Sequence, residues 1–201
     1  MNVLIIYCHP SKESYTYKIF RQLKKVLKNE NIEFQISDLY DMDFRAEMTE
    51  QEYKREGLLK FDLPISTDVQ NEQKKIENAD CIIFLYPVWW SDCPAKLKGW
   101  FDRVYTVGYA YGYDTEGNKI KKMKTIKYGI CLCAAGHSNK FLGEMGIAES
   151  MRNVMIDDRL GQRFSKKEMI ILGGTLDLEK VENEHYETVK NIGKLIKKYC
   201  A

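Results

Sequence analysis

Three short stretches of the 201-residue chain carry residue types that could bind a ligand and assist chemistry on it. The first is Cys8-His9-Pro10-Ser11-Lys12-Glu13-Ser14-Tyr15-Thr16, which leads from an apolar run into a helical pattern. A helix N-terminus presents unpaired amide donors and a partial positive charge, which together suit a phosphate. His9, Ser14 and Thr16 can add side-chain donors, although Ser14 or Thr16 would serve equally as a plain helix cap. The stretch is not a glycine-rich P-loop and has no G-x-G-x-x-G, which argues against an ATP or nicotinamide dinucleotide fold. The second stretch is Pro87-Val88-Trp89-Trp90. Two adjacent indoles could wall the pocket of a flat aromatic ligand, or could pack in a core or a subunit interface. The third is Ala134-Ala135-Gly136-His137. Its small residues let the backbone approach a ligand edge and donate from its amides. His137 could donate to developing negative charge, or be an ordinary surface-loop histidine. His185 lies in a charged stretch with no partner at metal-ligand spacing, and reads as solvated.

Each stretch follows a short apolar run that is expected to be a strand. Val3 to Tyr7, Cys81 to Tyr86 and Tyr128 to Cys133 are continuous apolar segments, the pattern of strands buried on both faces. Ile32, Phe34 and Ile36 alternate with polar residues, which places that strand at a sheet edge. Met169 to Leu172 reads as the last strand. Between the strands, Ile19, Leu23, Val26 and Leu27 stripe a helix that begins at Tyr15 or Thr16. A short helix over Glu50 to Glu56 and a polar one over Thr67 to Glu77 follow. The next helix spans 94–105, with Ser91 and Asp92 as candidate caps and Pro94 in its first turn. Glu116-Gly117-Asn118 reads as a turn. Phe141, Met145, Ala148, Met151 and Met155 recur at helical spacing, and Val189, Ile192, Ile196 and Tyr199 stripe a C-terminal helix.

Strands alternating with helices imply an α/β, doubly wound parallel sheet joined by right-handed crossovers. With the second strand at an edge, the order 2-1-3-4-5 of a three-layer sandwich fits better than 3-2-1-4-5. In such sheets ligands bind beyond the carboxyl ends of the strands, and this order brings the loops 8–16, 87–93 and 134–140 side by side. A single domain over residues 1–201 is expected.

Composition narrows the partners. The net charge is +2 and no basic block stands out, so nucleic acid is not expected. No run reaches the roughly 18 apolar residues of a membrane span, and MNVLIIYCHP reads as a first strand rather than a signal peptide. The six cysteines form no C-x-x-C and lie mostly in or beside core strands, where Cys behaves as a small apolar residue. A reducing, cytoplasmic setting is the expectation.

A phosphate grip, an aromatic wall and a row of backbone donors at adjacent strand ends together describe a flavin mononucleotide (FMN) site. Its phosphate would sit at the first loop and its isoalloxazine between the second and third.

The residues also resemble a known family. His9-Pro10 followed by Ser14-Tyr15-Thr16 is similar to the A-H-P-x-x-x-S-F-N opening of the flavodoxin-like NAD(P)H:quinone oxidoreductases. Pro87 to Trp90 and Pro94-Ala95-Lys96-Leu97-Lys98-Gly99-Trp100-Phe101-Asp102-Arg103-Val104 resemble that family's P-x-W-W/F-x-x-P-A-x-L-K-G-W-x-D-R-V signature. Gly108-Tyr109-Ala110-Tyr111 resembles its G-F-A-Y. The resemblance implies bound FMN or FAD, a homodimer, and a ping-pong cycle in which NAD(P)H delivers hydride and a quinone or other acceptor takes two electrons. It implies that His9, Ser14, Tyr15 and Thr16 contact phosphate and ribityl, and that Pro87, Val88, Trp89 and Trp90 line the isoalloxazine. Ala134, Ala135, Gly136 and His137 would hold its pyrimidine edge. Trp100, Phe101 and the Tyr109–Tyr113 segment would form dimer or substrate-pocket surface. Phe141 and Ile147 stand where members of the family place a Tyr and a His that stabilise reduced flavin, leaving His137 as the candidate catalytic group. The short C-terminal region favours FMN over FAD. Two other classes share the fold: an electron-carrying flavodoxin, usually strongly acidic, and a regulatory subunit of a potassium efflux system.

Overall fold

The computed structural model describes residues 1–113, 118 and 121–200. Five parallel strands form one sheet in the order β2-β1-β3-β4-β5, as the alternation of patterns predicts. They are β1 (Asn2–Tyr7), β2 (Glu33–Asp38), β3 (Cys81–Pro87), β4 (Ile126–Ala134) and β5 (Phe164–Leu172). Every residue of β3 is buried, whereas β2 at the edge alternates between exposed and partly buried positions up to the buried Ser37. Tyr7 pairs in register with Leu85, and Pro87 with Ala134, so the carboxyl ends of β1, β3 and β4 emerge together.

Helices cover both faces. On one lie α1 (Tyr15–Asn29) and the long C-terminal α7 (Leu178–Cys200). Ile19, Phe20, Leu23, Val26 and Leu27 of α1 and Val189, Ile192 and Ile196 of α7 pack with Val3, Ile5, Ile83 and Ile130. Burying each such aliphatic side chain contributes roughly 1.5–3 kcal/mol. On the other face lie α3 (Thr67–Asn78) and α4 (Ala95–Val104), with the short α2 (Glu50–Gly57) at their edge. The weakly periodic α2 forms because Thr49 and Glu52 close a reciprocal capping box.

The α4 signature residues brace this layer. A Cβ at Gly99 would overlap the backbone of Ala46, so only glycine permits that approach. Trp100 is fully buried and donates from Nε1 to Glu72 Oε2 at 2.9 Å. Arg103 is buried between two carboxylates, donating to Glu52 at 2.7 and 3.0 Å and to Asp68 at 2.6 and 3.0 Å. Glu52 also accepts from Arg45, Ser66 and Thr49. Burial alone would raise its pKa, but the Arg103, Ser66 and Thr49 hydrogen bonds prevail and hold it at about 2. Trp100 therefore belongs to the core, not to a dimer or pocket surface, whereas Phe101, though largely buried, lines an open recess of about 740 Å³.

Several sequence expectations are corrected. The cap of α4 is Pro94 rather than Ser91 or Asp92, because those two belong to a tight turn of their own. The last strand begins at Phe164, five residues before Met169. Its first half, Ser165-Lys166-Lys167-Glu168, is polar because β5 is the other sheet edge. The single helix expected from Phe141 to Met155 is broken. Left-handed Gly146 (φ 69°) separates α5 (Asn139–Glu144) from α6 (Ile147–Arg152), and a π-helical stretch over Asn153–Leu160 follows. Phe141 and Met145 consequently face outward, while Met151 and Met155 are buried. His185 is 5% exposed rather than solvated, since it lies on the inner side of α7. The turn expected at Glu116-Gly117 lies outside the described residues. No helix among the described residues is long and apolar enough to cross a membrane.

Candidate functional site

The first loop ends in a well-formed N-terminus. Ser14, in extended conformation, caps α1 by accepting from the Tyr17 amide at 3.1 Å, and its hydroxyl donates to the Ser11 carbonyl at 2.9 Å. The capping role read as an alternative for Ser14 is thus present. Tyr15 and Thr16, the first two helical residues, have no intrahelical acceptor for their amides. No acidic residue occupies that turn. Among the described residues, the amides of Lys12 and Ser14 also find no backbone acceptor. His9 is half-buried, with Nδ1 accepting from the Ser11 amide at 3.0 Å, which leaves the proton on Nε2. Burial lowers its pKa and favours the neutral imidazole, opposed by the Ser11 carbonyl 3.2 Å from Nδ1. Thr16 is buried.

The second loop is tied to both neighbours. The Val88 amide donates to the Ala134 carbonyl at 2.8 Å, and the Trp89 ring meets His9 edge-on with centroids 5.8 Å apart. Trp89 and Asp92 exchange backbone hydrogen bonds of 3.0 and 3.2 Å around Trp90 and Ser91. Both central residues have positive φ, 48° for Trp90 and 63° for Ser91. Asn and Gly are the usual occupants of such a turn, and a bulky side chain there is an outlier that concentrates at functional sites. The turn holds because Arg159 reaches from the π-helical stretch to grip both Asp92 oxygens at 2.8 and 3.0 Å. Burial opposes the Asp92 charge, but the Arg159 guanidinium and the Cys93 amide keep its pKa below the ordinary aspartate value. Trp90 at the tip is fully exposed and Trp89 partly so.

In the third loop the carbonyls are consumed and the amides are left over. The Ala135 carbonyl accepts from the Thr175 amide and hydroxyl, each at 3.0 Å, and the His137 carbonyl accepts from Gly174 at 2.8 Å. Gly136, His137 and Ser138 have no backbone acceptor for their own amides among the described residues. The result is a row of unpaired donors just beyond the end of β4. His137 is exposed, and its ring lies against Phe141 with centroids 4.4 Å apart.

The structure thus gathers all three predicted loops along one rim. Donors for an anion lie at one end, an indole is fixed against His9 in the middle, and free amides stand beside small residues at the other end. These features fit the phosphate, flat ring and carbonyl-bearing edge of a flavin mononucleotide. Residues that sequence reasoning missed are Arg159, which shapes the indole turn, and Thr175, which turns the third loop's carbonyls inward. Neither carries a local signal, since each acts across many tens of residues.

Residues 1–190 match the flavodoxin-like fold family. The chain belongs to that family. Among solved structures it is similar to an NAD(P)H:quinone oxidoreductase from Methanothermobacter marburgensis, 39% identical over 96% of this chain and 97% of that one, with a TM-score of 0.88. That full-length match places it in the quinone oxidoreductase branch of the flavodoxin-like proteins. It is 38% identical over 123 residues to an NAD(P)H dehydrogenase [quinone] 1 of Cavia porcellus, covering 55% of this chain and 45% of that protein. The chain spans about half the length of the mammalian and fungal curated relatives it matches. An FMN-dependent NADH-azoreductase from Bacillus anthracis, solved with FMN, shares the fold at 18% identity, with a TM-score of 0.72 and 97% and 98% of the two chains covered.

Proposed function

We propose that this flavodoxin-like protein is an NAD(P)H-dependent oxidoreductase that holds FMN in the three-loop site and reduces quinones or related acceptors. The observation that carries the reading is the coincidence on one rim of unpaired amides at Lys12, Ser14, Tyr15 and Thr16 and at 136–138 with the Trp89 ring fixed between them. Bound FMN would supply two-electron hydride chemistry, taking from NAD(P)H and giving to the acceptor in a ping-pong cycle.

The residues divide the remaining work. The amides of Tyr15 and Thr16, with His9 Nε2–H and the Thr16 hydroxyl, bind the phosphate. Neutral donors and a helix dipole suffice for this without a cationic side chain. Pro87, Val88 and Trp89 orient the ring and exclude water from one side of it, and Trp90 overhangs the open side where reactants exchange. Ala134, Ala135 and Gly136 let the backbone come close to the pyrimidine edge, and the 136–138 amides donate to it. Donors fixed in advance where negative charge develops stabilise that charge without reorganising. His137 adds a side-chain donor there, since its imidazole makes no hydrogen bond to another described residue. Exposed Trp90, Tyr111 and Tyr113 support assembly as a homodimer, which sedimentation would reveal.

Purified protein should oxidise NADPH or NADH with menadione and no added reductase. Flavin uptake without such turnover would favour a carrier or a regulatory subunit instead, of which the near-neutral charge already disfavours the carrier.

A further inference from the structure

We propose that His185, on a helix that supplies none of the three loops, is a positioning residue for the phosphate end of the site. Its Nδ1 lies 2.9 Å from the Tyr15 hydroxyl, 170 residues away in the chain. The rings also touch, with centroids 5.8 Å apart at 51°. Tyr15 is the first residue of α1, so its side chain leaves the helix at the turn whose amides point outward. Ser14 fixes that turn from the loop side, and His185 fixes it from the side of α7.

The direction of the hydrogen bond follows from burial. Burial raises the phenol's pKa, with Tyr186 and Glu182 adding to the effect, so Tyr15 keeps its proton and donates. Burial lowers the pKa of His185, opposed by a backbone hydrogen bond with Gly173 and by Glu184. The neutral tautomer protonated on Nε2 leaves Nδ1 to accept from Tyr15, and the ring also meets the Gly173 backbone. Gly173 in turn packs against the third loop: a Cβ there would overlap Asn139 and reach 3.0 Å from the His137 carbonyl. One imidazole therefore stands between the loop proposed to hold phosphate and the backbone that supports the pyrimidine-edge loop. A loosely held Tyr15 would let the first turn of α1 rotate, misaligning its amides without unfolding the sheet.

This rests on the FMN reading, and the test separates the two. Dissociation constants for FMN and for riboflavin, which lacks the phosphate, are measured by fluorescence quenching for wild type, His185→Leu, His185→Asn and Tyr15→Phe, each with its melting temperature. The expected result for His185→Leu and Tyr15→Phe is about a tenfold loss of FMN affinity, the scale of one hydrogen bond. Riboflavin affinity should be nearly unchanged. The double variant should lose no more than either single one, and His185→Asn, which keeps an acceptor in place of Nδ1, should recover wild-type FMN binding. Wild-type protein that binds neither ligand overturns the FMN reading and the proposal with it. Wild-type FMN binding with equal losses for FMN and riboflavin, or with no loss in Tyr15→Phe, overturns the positioning role alone.

Discussion

At the scale of single residues, the site depends on groups whose alternatives at the sequence level were ordinary. Ser14 is both: it caps α1, and by doing so it leaves the amides of Tyr15 and Thr16 as the outward-facing donors. Replacing Trp89 by Ala removes the ring that meets His9, and should weaken FMN binding or shift the flavin absorption bands; a titration and spectrum identical to wild type would contradict the wall assignment. His9→Ala should lower FMN affinity by up to about tenfold through one lost donor, with riboflavin binding little changed; equal affinity for FMN in variant and parent would remove His9 from the site. His137→Ala should slow flavin reduction in a single-turnover experiment while leaving flavin affinity near wild type. Loops were legible at this scale because histidine, tryptophan and glycine are informative beside strand ends. His185 was not legible, because its surroundings in sequence, Glu182, Glu184 and Glu187, are charged, and only the helical phase of α7 turns it inward.

At the scale of elements, the conspicuous α4 signature is chiefly a brace. Gly99, Trp100 and Arg103 fix α4 against the loop at Ala46 and against Glu72, Glu52 and Asp68, and α4 in turn carries the end of the Trp89–Asp92 turn. Arg103→Met would leave the buried Glu52 carboxylate without its main partner, at a cost of roughly 3 kcal/mol or more in urea unfolding; a loss below that of a surface substitution would contradict the brace. The strands β1, β3 and β4 were readable because burial on both faces demands continuous apolar runs. The start of β5 was not, since an edge strand can be as polar as Ser165-Lys166-Lys167-Glu168. The break at Gly146 was hidden for another reason: Phe141 and Met145 keep helical spacing with Ala148, but left-handed glycine redirects the chain between them.

At the scale of the whole molecule, the acid response should come in two stages. Half-buried His9 and buried His185 have lowered pKa values, so the unfolded chain binds protons first and stability falls as pH drops below about 6.5. Glu52, held at about 2 against an ordinary 4.5, with Asp68 and Asp92 also lowered, contributes stability that is present above about pH 4.5 and is lost as pH falls toward 2. Thermal melts across pH should show both steps, and His185→Asn should diminish the first. The strand order, the rim and the family were all legible in the sequence, because crossover topology constrains which loops can meet. What joins the loops was not, since the Asp92–Arg159 and Tyr15–His185 pairs span 67 and 170 residues. The central claim is that the rim binds FMN, and the most direct measurement is the visible spectrum of purified protein reconstituted with FMN and freed of excess ligand, with chromatography of the heat-released cofactor. The account predicts a yellow protein with about one FMN released per chain; a colourless protein that retains neither FMN nor FAD would contradict it.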